Sequence, residues 1–301
     1  MKTKKTLTIC IPAFNEAENL KKLLPSLLAQ KRSTYILSKI IVASDASTDT
    51  IYNVVKKIGS KKINVIHGKE RKGVAYRQNQ LLEKSTSDIV VLLNADIAVI
   101  DFRYIEKLVA PIIKNKADMT SSALMETSPR TFFEKALYTS MQAKKYAFNK
   151  FKDGNNVYTC RGPARAFSKN LYKIIRFPSG IGEDAYSYLF TIKRGMRFIA
   201  VKNATVYYSL PTTFKDHKRQ SLRYLSSKSN FTSKFGEKFV KDEYNLPLKY
   251  ILEAALFYSM SNPIYMLCYF MIFMQINLRS LFKNTQSETW EVATSSKLLN
   301  V

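Results

Sequence analysis

Between Leu7 and Leu93 the chain alternates short runs rich in isoleucine and valine with stretches of helical spacing, and nothing else constrains its fold as tightly. Leu7–Ile11, Lys39–Ser44, Ile63–Ile66 and Ile89–Leu93 have the near-continuous apolar character of strands buried on both faces. Between the first two, Leu20, Leu23, Leu24, Leu27 and Leu28 recur on one helical face. A helix capped by Ser47 or Thr48 runs through Ile58, and Val74–Lys84 forms the next. Strand and helix in strict alternation specify an α/β fold with a doubly wound, mainly parallel sheet.

In such a sheet the strand-to-helix turns gather at one edge, where ligands collect. The turns after Ile11, Ser44 and Leu93 carry PAFNE, DASTD and NAD. The fourth strand thus ends in an isolated carboxylate, Asp96, which can hold a hard divalent cation against a phosphate. With only nine glycines and neither GxGxxG nor GxxxxGK[ST], the chain lacks a backbone cradle for that phosphate. A metal and basic side chains must take its place, and the ligand implied is a nucleotide diphosphate.

Length and composition fit this reading. At 301 residues and 46% hydrophobic content the chain supports one large packed domain with an appendage. Its formal charge of +25 calls for an anionic partner: a sugar nucleotide, an acidic lipid surface or nucleic acid. Cys10, Cys160 and Cys268 are far apart and lack metal-ligand spacing, as suits free thiols in a reducing compartment. His67 and His217 have no partner at metal spacing and read as ordinary polar residues. The start, MKTKKTLTIC, turns into a strand too soon for a signal peptide.

The second half is less regular. Phe102–Lys114, Thr131–Lys152 and Glu183–Arg194 are predicted helices. Val157–Phe167 reads as two short strands around a Gly-Pro turn, and Arg197–Val201 with Ala204–Tyr208 as a small antiparallel pair. From Ala254 to Leu278 no residue is charged, and about 25 residues suffice for one tilted span. Ser261-Asn262-Pro263 divides that stretch into arms of roughly 15 residues, each too short to cross about 30 Å of hydrocarbon. A kinked span, a hairpin dipping into one leaflet and a buried soluble helix pair all remain open. Basic residues at both ends (Lys249, Arg279, Lys283) favour the hairpin.

Taken in series, ICIPAFNEAENL, IVASDASTD, KGVAYRQN, LLNADI, GED and RQSLRY resemble glycosyltransferase family 2, inverting enzymes with a GT-A fold. GED and the QxxRY pattern further resemble the branch of membrane-embedded polysaccharide synthases and lipid-linked sugar transferases. The resemblance implies a GT-A domain over residues 1–240, with a nucleotide-binding half at 1–100 and an acceptor half at 101–240. Residues 241–301 become membrane-associated helices and a tail. Pro12, Ala13, Asn15 and Glu16 would line the nucleotide pocket, and Asp45 would hydrogen-bond a uracil. Lys72 and Arg77 would face the diphosphate, where charge-assisted hydrogen bonds are strong.

Asn94-Ala95-Asp96 stands in place of the family's DxD motif. The amide brings no charge to a metal, so Asn94 is assigned to the ribose and Asp96 alone to Mg²⁺ or Mn²⁺. Asp184 would be the general base, with Glu183 beside it. Arg161, Gly162, Gln220, Arg223 and Tyr224 are assigned to the acceptor or the diphosphate. The implied reaction moves a sugar from a UDP-sugar to a lipid-linked or membrane-associated acceptor, at the cytoplasmic face of the cell membrane. A processive polysaccharide synthase, a basic nucleic-acid-binding protein and a catalytically dead membrane scaffold are the alternatives.

Overall fold

The computed structural model describes residues 3–280, without the side chains of 223–229 and 278–280. The first half alternates as its sequence dictates: β1 (Lys5–Ala13), α1 (Ala17–Leu28), β2 (Tyr35–Ser44), α2 (Ile51–Ile58), β3 (Ile63–His67), α3 (Val74–Glu83) and β4 (Ile89–Leu93). Leu20, Leu23, Leu24 and Leu27 bury the inner face of α1 against the sheet. Truncating any one to alanine removes about 2–5 kcal/mol. All five β4 residues are buried, which explains their unbroken apolar run. Ser47 and Thr48 do not cap α2; Thr50 occupies the cap position, and Asp49 Oδ1 accepts the Ile51 N–H.

The chain continues through α4 (Tyr104–Ile113), β5 (Met119–Glu126), α5 (Phe132–Lys150), β6 (Ala164–Ser168), α6 (Lys169–Tyr172), α7 (Glu183–Lys193) and β7 (Phe198–Tyr208). Four helices follow: α8 (Phe214–Phe235), α9 (Glu237–Tyr244), α10 (Leu248–Ser261) and α11 (Pro263–Ser280). The seven strands form one sheet in the order β3-β2-β1-β4-β6-β5-β7. β6 runs antiparallel to both β4 and β5, while the other pairings are parallel. Six strands therefore deliver their carboxyl ends to one edge, and β6 starts from that same edge.

One strand goes unpredicted from the sequence, and two expectations are corrected. β5 has no apolar alternation to reveal it; Thr120, Ser121 and Ser122 are buried on hydrogen bonds to Leu108 O, the Arg161 backbone and the Tyr104 hydroxyl. Val157–Phe167 is not a hairpin, because residues 157–163 form turns and only β6 pairs with the sheet. Arg197–Val201 and Ala204–Tyr208 are not an antiparallel pair either. Both belong to β7, which runs parallel to β5 and shifts register between Val201 and Thr205. An irregularity in one strand and a turn between two look alike from local sequence.

Among the described residues no helix is long and apolar enough to cross a membrane. α10 and α11 instead lie along α5. Ala254 closes on Ala143 and Ala147, Lys150 pairs with Glu253 at 2.6 Å, and Lys144 Nζ donates to the Tyr269 hydroxyl at 2.6 Å. The outer faces of these two helices stay exposed, so they are not a buried pair.

Candidate active site at the carboxyl edge of the sheet

The first two turns are knitted together. Asp45 N donates to Ala13 O at 2.8 Å, Asn15 N to Ser47 Oγ at 3.1 Å, and Thr48 N to Asn15 Oδ1 at 2.9 Å. Asp49 Oδ2 accepts the Ala17 N–H at 2.7 Å, which ties α1 to the second turn. Asn15 and Ala46 both hold φ near the left-handed region (54° and 57°), a conformation costly for residues with a β-carbon. Pro12 and Ala13 form the rim below, paired in register with Ala43 and Ser44. Glu16 accepts from Asn19 Nδ2 at 2.7 Å at the entry to α1.

Asp45 and Arg77 hold the third turn. The Asp45 carboxylate accepts from Lys72 N and Gly73 N at 2.9 Å and from Arg77 Nε at 2.8 Å, and both side chains are buried. Arg77 also donates to Gln80 Oε1 and Glu70 O. A β-carbon on Gly68 would lie 2.0 Å from that guanidinium, so only glycine fits there. Arg77 is expected at a diphosphate; the structure places it beneath the 68–73 loop, with its donors turned to protein. Lys72 stands above that loop, half exposed, 3.4 Å from Glu70 and over the Tyr76 ring. Arg71, which the sequence reading passes over, lies 4.1 Å from the Phe14 ring centre and joins the third turn to the first.

The segment that carries Asp96 and the helix start that carries Asp184 both contact the chain entering β6. Asn94 N donates to Pro163 O at 2.8 Å, and Ala98 exchanges two 2.9 Å hydrogen bonds with Tyr207. The segment carrying Asp96 therefore bridges from β4 across β6 and β5 to β7. Directly below, Gly162 abuts Asp184: a β-carbon built on it would stand 3.5 Å from Asp184 Oδ2. Oδ1 of Asp184 is fixed by the Ala185 N–H at 2.8 Å. The buried Arg165 braces this helix start through Glu183 O at 2.7 Å and Ser187 Oγ at 3.0 Å. Cys160 Sγ reaches Asp184 O at 3.2 Å, and burial pushes its thiol up to about 12, so it is not a nucleophile at neutral pH.

The second half of the sheet brings a group that the sequence does not flag. Glu126, at the end of β5, accepts from Lys145 Nζ at 2.5 Å, Gln142 Nε2 at 2.9 Å and the Tyr208 hydroxyl at 2.9 Å. Burial, reinforced by Glu126, holds the Tyr208 hydroxyl well above its ordinary pKa. Arg161 is fixed by its N–H to Ser121 Oγ at 2.7 Å, with its guanidinium over Phe148. Only long-range pairing brings these residues together, since Glu126 and Tyr208 lie on different strands. Gln220 is half-buried on α8, while the side chains of Arg223 and Tyr224 lie outside the described residues.

A concavity of about 700 Å³ lies beside edge strand β3 and α2, lined by Lys39, Lys56 and Lys84 without any carboxylate. Among the described residues no three His, Cys, Asp or Glu side chains converge as a metal cage. The donor set at the fourth turn is one carboxylate, which fits a hard cation shared with a ligand's diphosphate oxygens and water.

Comparison with known proteins agrees with this geometry. The sequence model of Glycosyl transferase family 2 matches residues 8–175, from β1 past α6. No curated protein sequence matches the chain. Among solved structures, mannosyltransferase PcManGT from Pyrobaculum calidifontis, in complex with GDP-Man and Mn²⁺, is similar with a TM-score of 0.59 and 19% identity, over 94% of this chain and 77% of that one. S. aureus TarS with UDP gives a TM-score of 0.55 and 18% identity, over 78% and 71% of the two chains. Glucosyl-3-phosphoglycerate synthase from Mycobacterium tuberculosis, with Mn²⁺, UDP and glucosyl-3-phosphoglycerate, gives 0.55 and 15%, over 77% and 80%. At such identities the likeness establishes the GT-A fold. With the family's sequence pattern covering more than half of the chain and the GT-A sheet beneath it, the protein belongs to glycosyl transferase family 2.

Proposed function

We propose that the protein is an inverting glycosyltransferase that moves a sugar from a nucleotide sugar, a UDP-sugar, to a hydroxyl of a lipid-linked or membrane-associated acceptor. The observation that supports this reading is that two elements converge on the chain entering β6: Asn94, in the Asp96 segment, bonds Pro163 O, and the adjacent Gly162 abuts Asp184.

In this reading the uridine lies along the first two turns, against Pro12, Ala13, Asn15 and Glu16, with the Asp45 clasp shaping the floor. Asn94 takes the ribose, and Lys72 supplies positive charge to the diphosphate. A bound Mg²⁺ or Mn²⁺ on Asp96 would stabilise the charge that builds on the departing diphosphate. Asp184, with Oδ1 pinned and Oδ2 beside Gly162, takes the proton from the acceptor hydroxyl. That oxygen bonds to the anomeric carbon as the bond to the diphosphate breaks, which inverts the centre. One base suffices because the leaving group departs without protonation, whereas hydrolysis of a glycoside needs two carboxylates. Arg161, Gln220, Arg223 and Tyr224 are assigned to the acceptor side. A basic surface suits a site on the cytoplasmic face of the cell membrane.

Thermal unfolding with UDP, UDP-sugars and GDP-mannose, each with and without Mn²⁺, tests the donor reading. A ligand at about a hundred times its Kd adds about 2.7 kcal/mol of stability. The expected result is an Mn²⁺-dependent rise with uridine nucleotides, lost in Asp96→Ala. A rise with GDP-mannose alone would replace uridine by guanosine. No rise with any nucleotide diphosphate would sink the proposal.

A further inference from the structure

α10 and α11 carry twelve large apolar side chains between 41% and 76% exposed, among them Leu252, Leu256, Met260, Ile264, Leu267 and Phe270. A soluble monomer seldom shows an apolar patch beyond roughly 300–600 Å², and this one runs along two consecutive helices. We propose that these outer faces dock, in the plane of the surface, on an anionic lipid bilayer.

Three observations select that occupant. A second copy of a chain with a formal charge of +25 is repelled, while an anionic surface is attracted. The exposed face contains no charged side chain from Ala254 to Leu278, and Lys238, Lys241 and Lys249 stand exposed where the chain enters it. Finally, both helices are held to α5 along their inner faces. The Ala143–Ala147–Ala254 contact, the Lys150–Glu253 pair and the Phe132–Tyr265 rings at 5.3 Å fix them lengthwise. Neither can stand upright in a bilayer without leaving α5, and neither is a spanning helix. An apolar face with polar anchoring behind it is the arrangement of a helix lying at the interface.

The docking also sets an orientation. α5 opens at Phe132, soon after β5 brings Glu126 to the carboxyl edge, and Tyr265 packs on Phe132 just past the break at Asn262-Pro263. His217, near the start of α8, contacts Phe133 and Tyr269 at the same end. The break between the helices thus lies toward the mouth of the cleft. An amphiphilic acceptor would present its hydroxyl to Asp184 while its hydrocarbon stays in the bilayer. This orientation rests on the glycosyltransferase reading; the docking does not.

Co-sedimentation of the full chain with vesicles tests it, using phosphatidylcholine alone and phosphatidylcholine mixed with phosphatidylglycerol. The wild type should pellet with the mixed vesicles and release as salt rises. Leu256→Glu and Phe270→Glu should each lower partitioning by about tenfold or more, with the nucleotide-dependent thermal shift of the wild type retained. That retained shift separates failure of docking from failure of the donor reading. A wild type left in the supernatant overturns the proposal, as does undiminished pelleting of both variants. A dimer seen by light scattering, dissociated by the same substitutions and indifferent to vesicles, would assign the face to a second copy instead.

Discussion

The two halves of the sheet are built on different rules. β1 to β4 carry runs of isoleucine, valine and leucine, run parallel, and are joined by helices, of which α1 marks its inner face with leucines. β5 to β7 bury Thr120, Ser121, Ser122 and Arg165, and they meet through an antiparallel strand and a shift of register. The first half is held by burial of hydrocarbon, which is non-directional and local in its pattern. The second adds to its apolar contacts buried hydrogen bonds between residues far apart in sequence. One sheet can thus set a rigid apolar half beside a half that depends on specific polar partners.

The sharpest way to break this comparison is in the second half. Asp184→Asn should lower kcat by about 10²–10⁴-fold while leaving nucleotide-dependent stabilisation intact, read by donor-dependent transfer beside thermal unfolding. Retained transfer would remove the second half from the chemistry. On the nucleotide side, Asp45→Asn should act on the fold first, since it leaves the Arg77 guanidinium buried without its carboxylate. The loss should reach about 3–5 kcal/mol in denaturant unfolding. Unchanged stability with weakened UDP binding would instead make Asp45 a ligand group alone.

A smaller effect probes the junction of α5, α8 and α11. Burial, with Lys144 nearby, holds the His217 imidazole down to about 4, from an ordinary value of 6.5. The folded state therefore keeps it neutral where the unfolded chain takes up a proton. Its contribution is complete above pH 6.5 and is lost as the pH falls toward 4, about 3 kcal/mol at most. His217→Phe keeps a ring between Phe133 and Tyr269 and should flatten that part of the stability profile. An unchanged profile would place the acid sensitivity elsewhere.

How much could be read in advance follows the same division. The strands of the first half, their helices and their polar turns were legible because burial on both faces writes itself as runs of isoleucine, valine and leucine. The placement of Asp45 at a turn was legible too, but its grip on Lys72 N, Gly73 N and Arg77 was not, because those partners come from another turn. β5 was hidden by its serines and threonine, whose buried hydroxyls look like loop chemistry until their acceptors are known. Glu126 escaped notice for a related reason: an acid at a strand end reads as solvated, and only Lys145, Gln142 and Tyr208 converging on it make it buried.

By itself the sequence determined the alternating α/β architecture, the edge at which the acidic turns gather, and the broken apolar stretch at the end of the described chain. Periodicity is a local property, and burial imprints it residue by residue. Only the tertiary structure decided that the Asp96 segment reaches across β6 to Tyr207, that Gly162 sits against Asp184, and that α10 and α11 lie along α5. These are pairings between distant segments, fixed by strand order and helix packing rather than by any neighbouring residue.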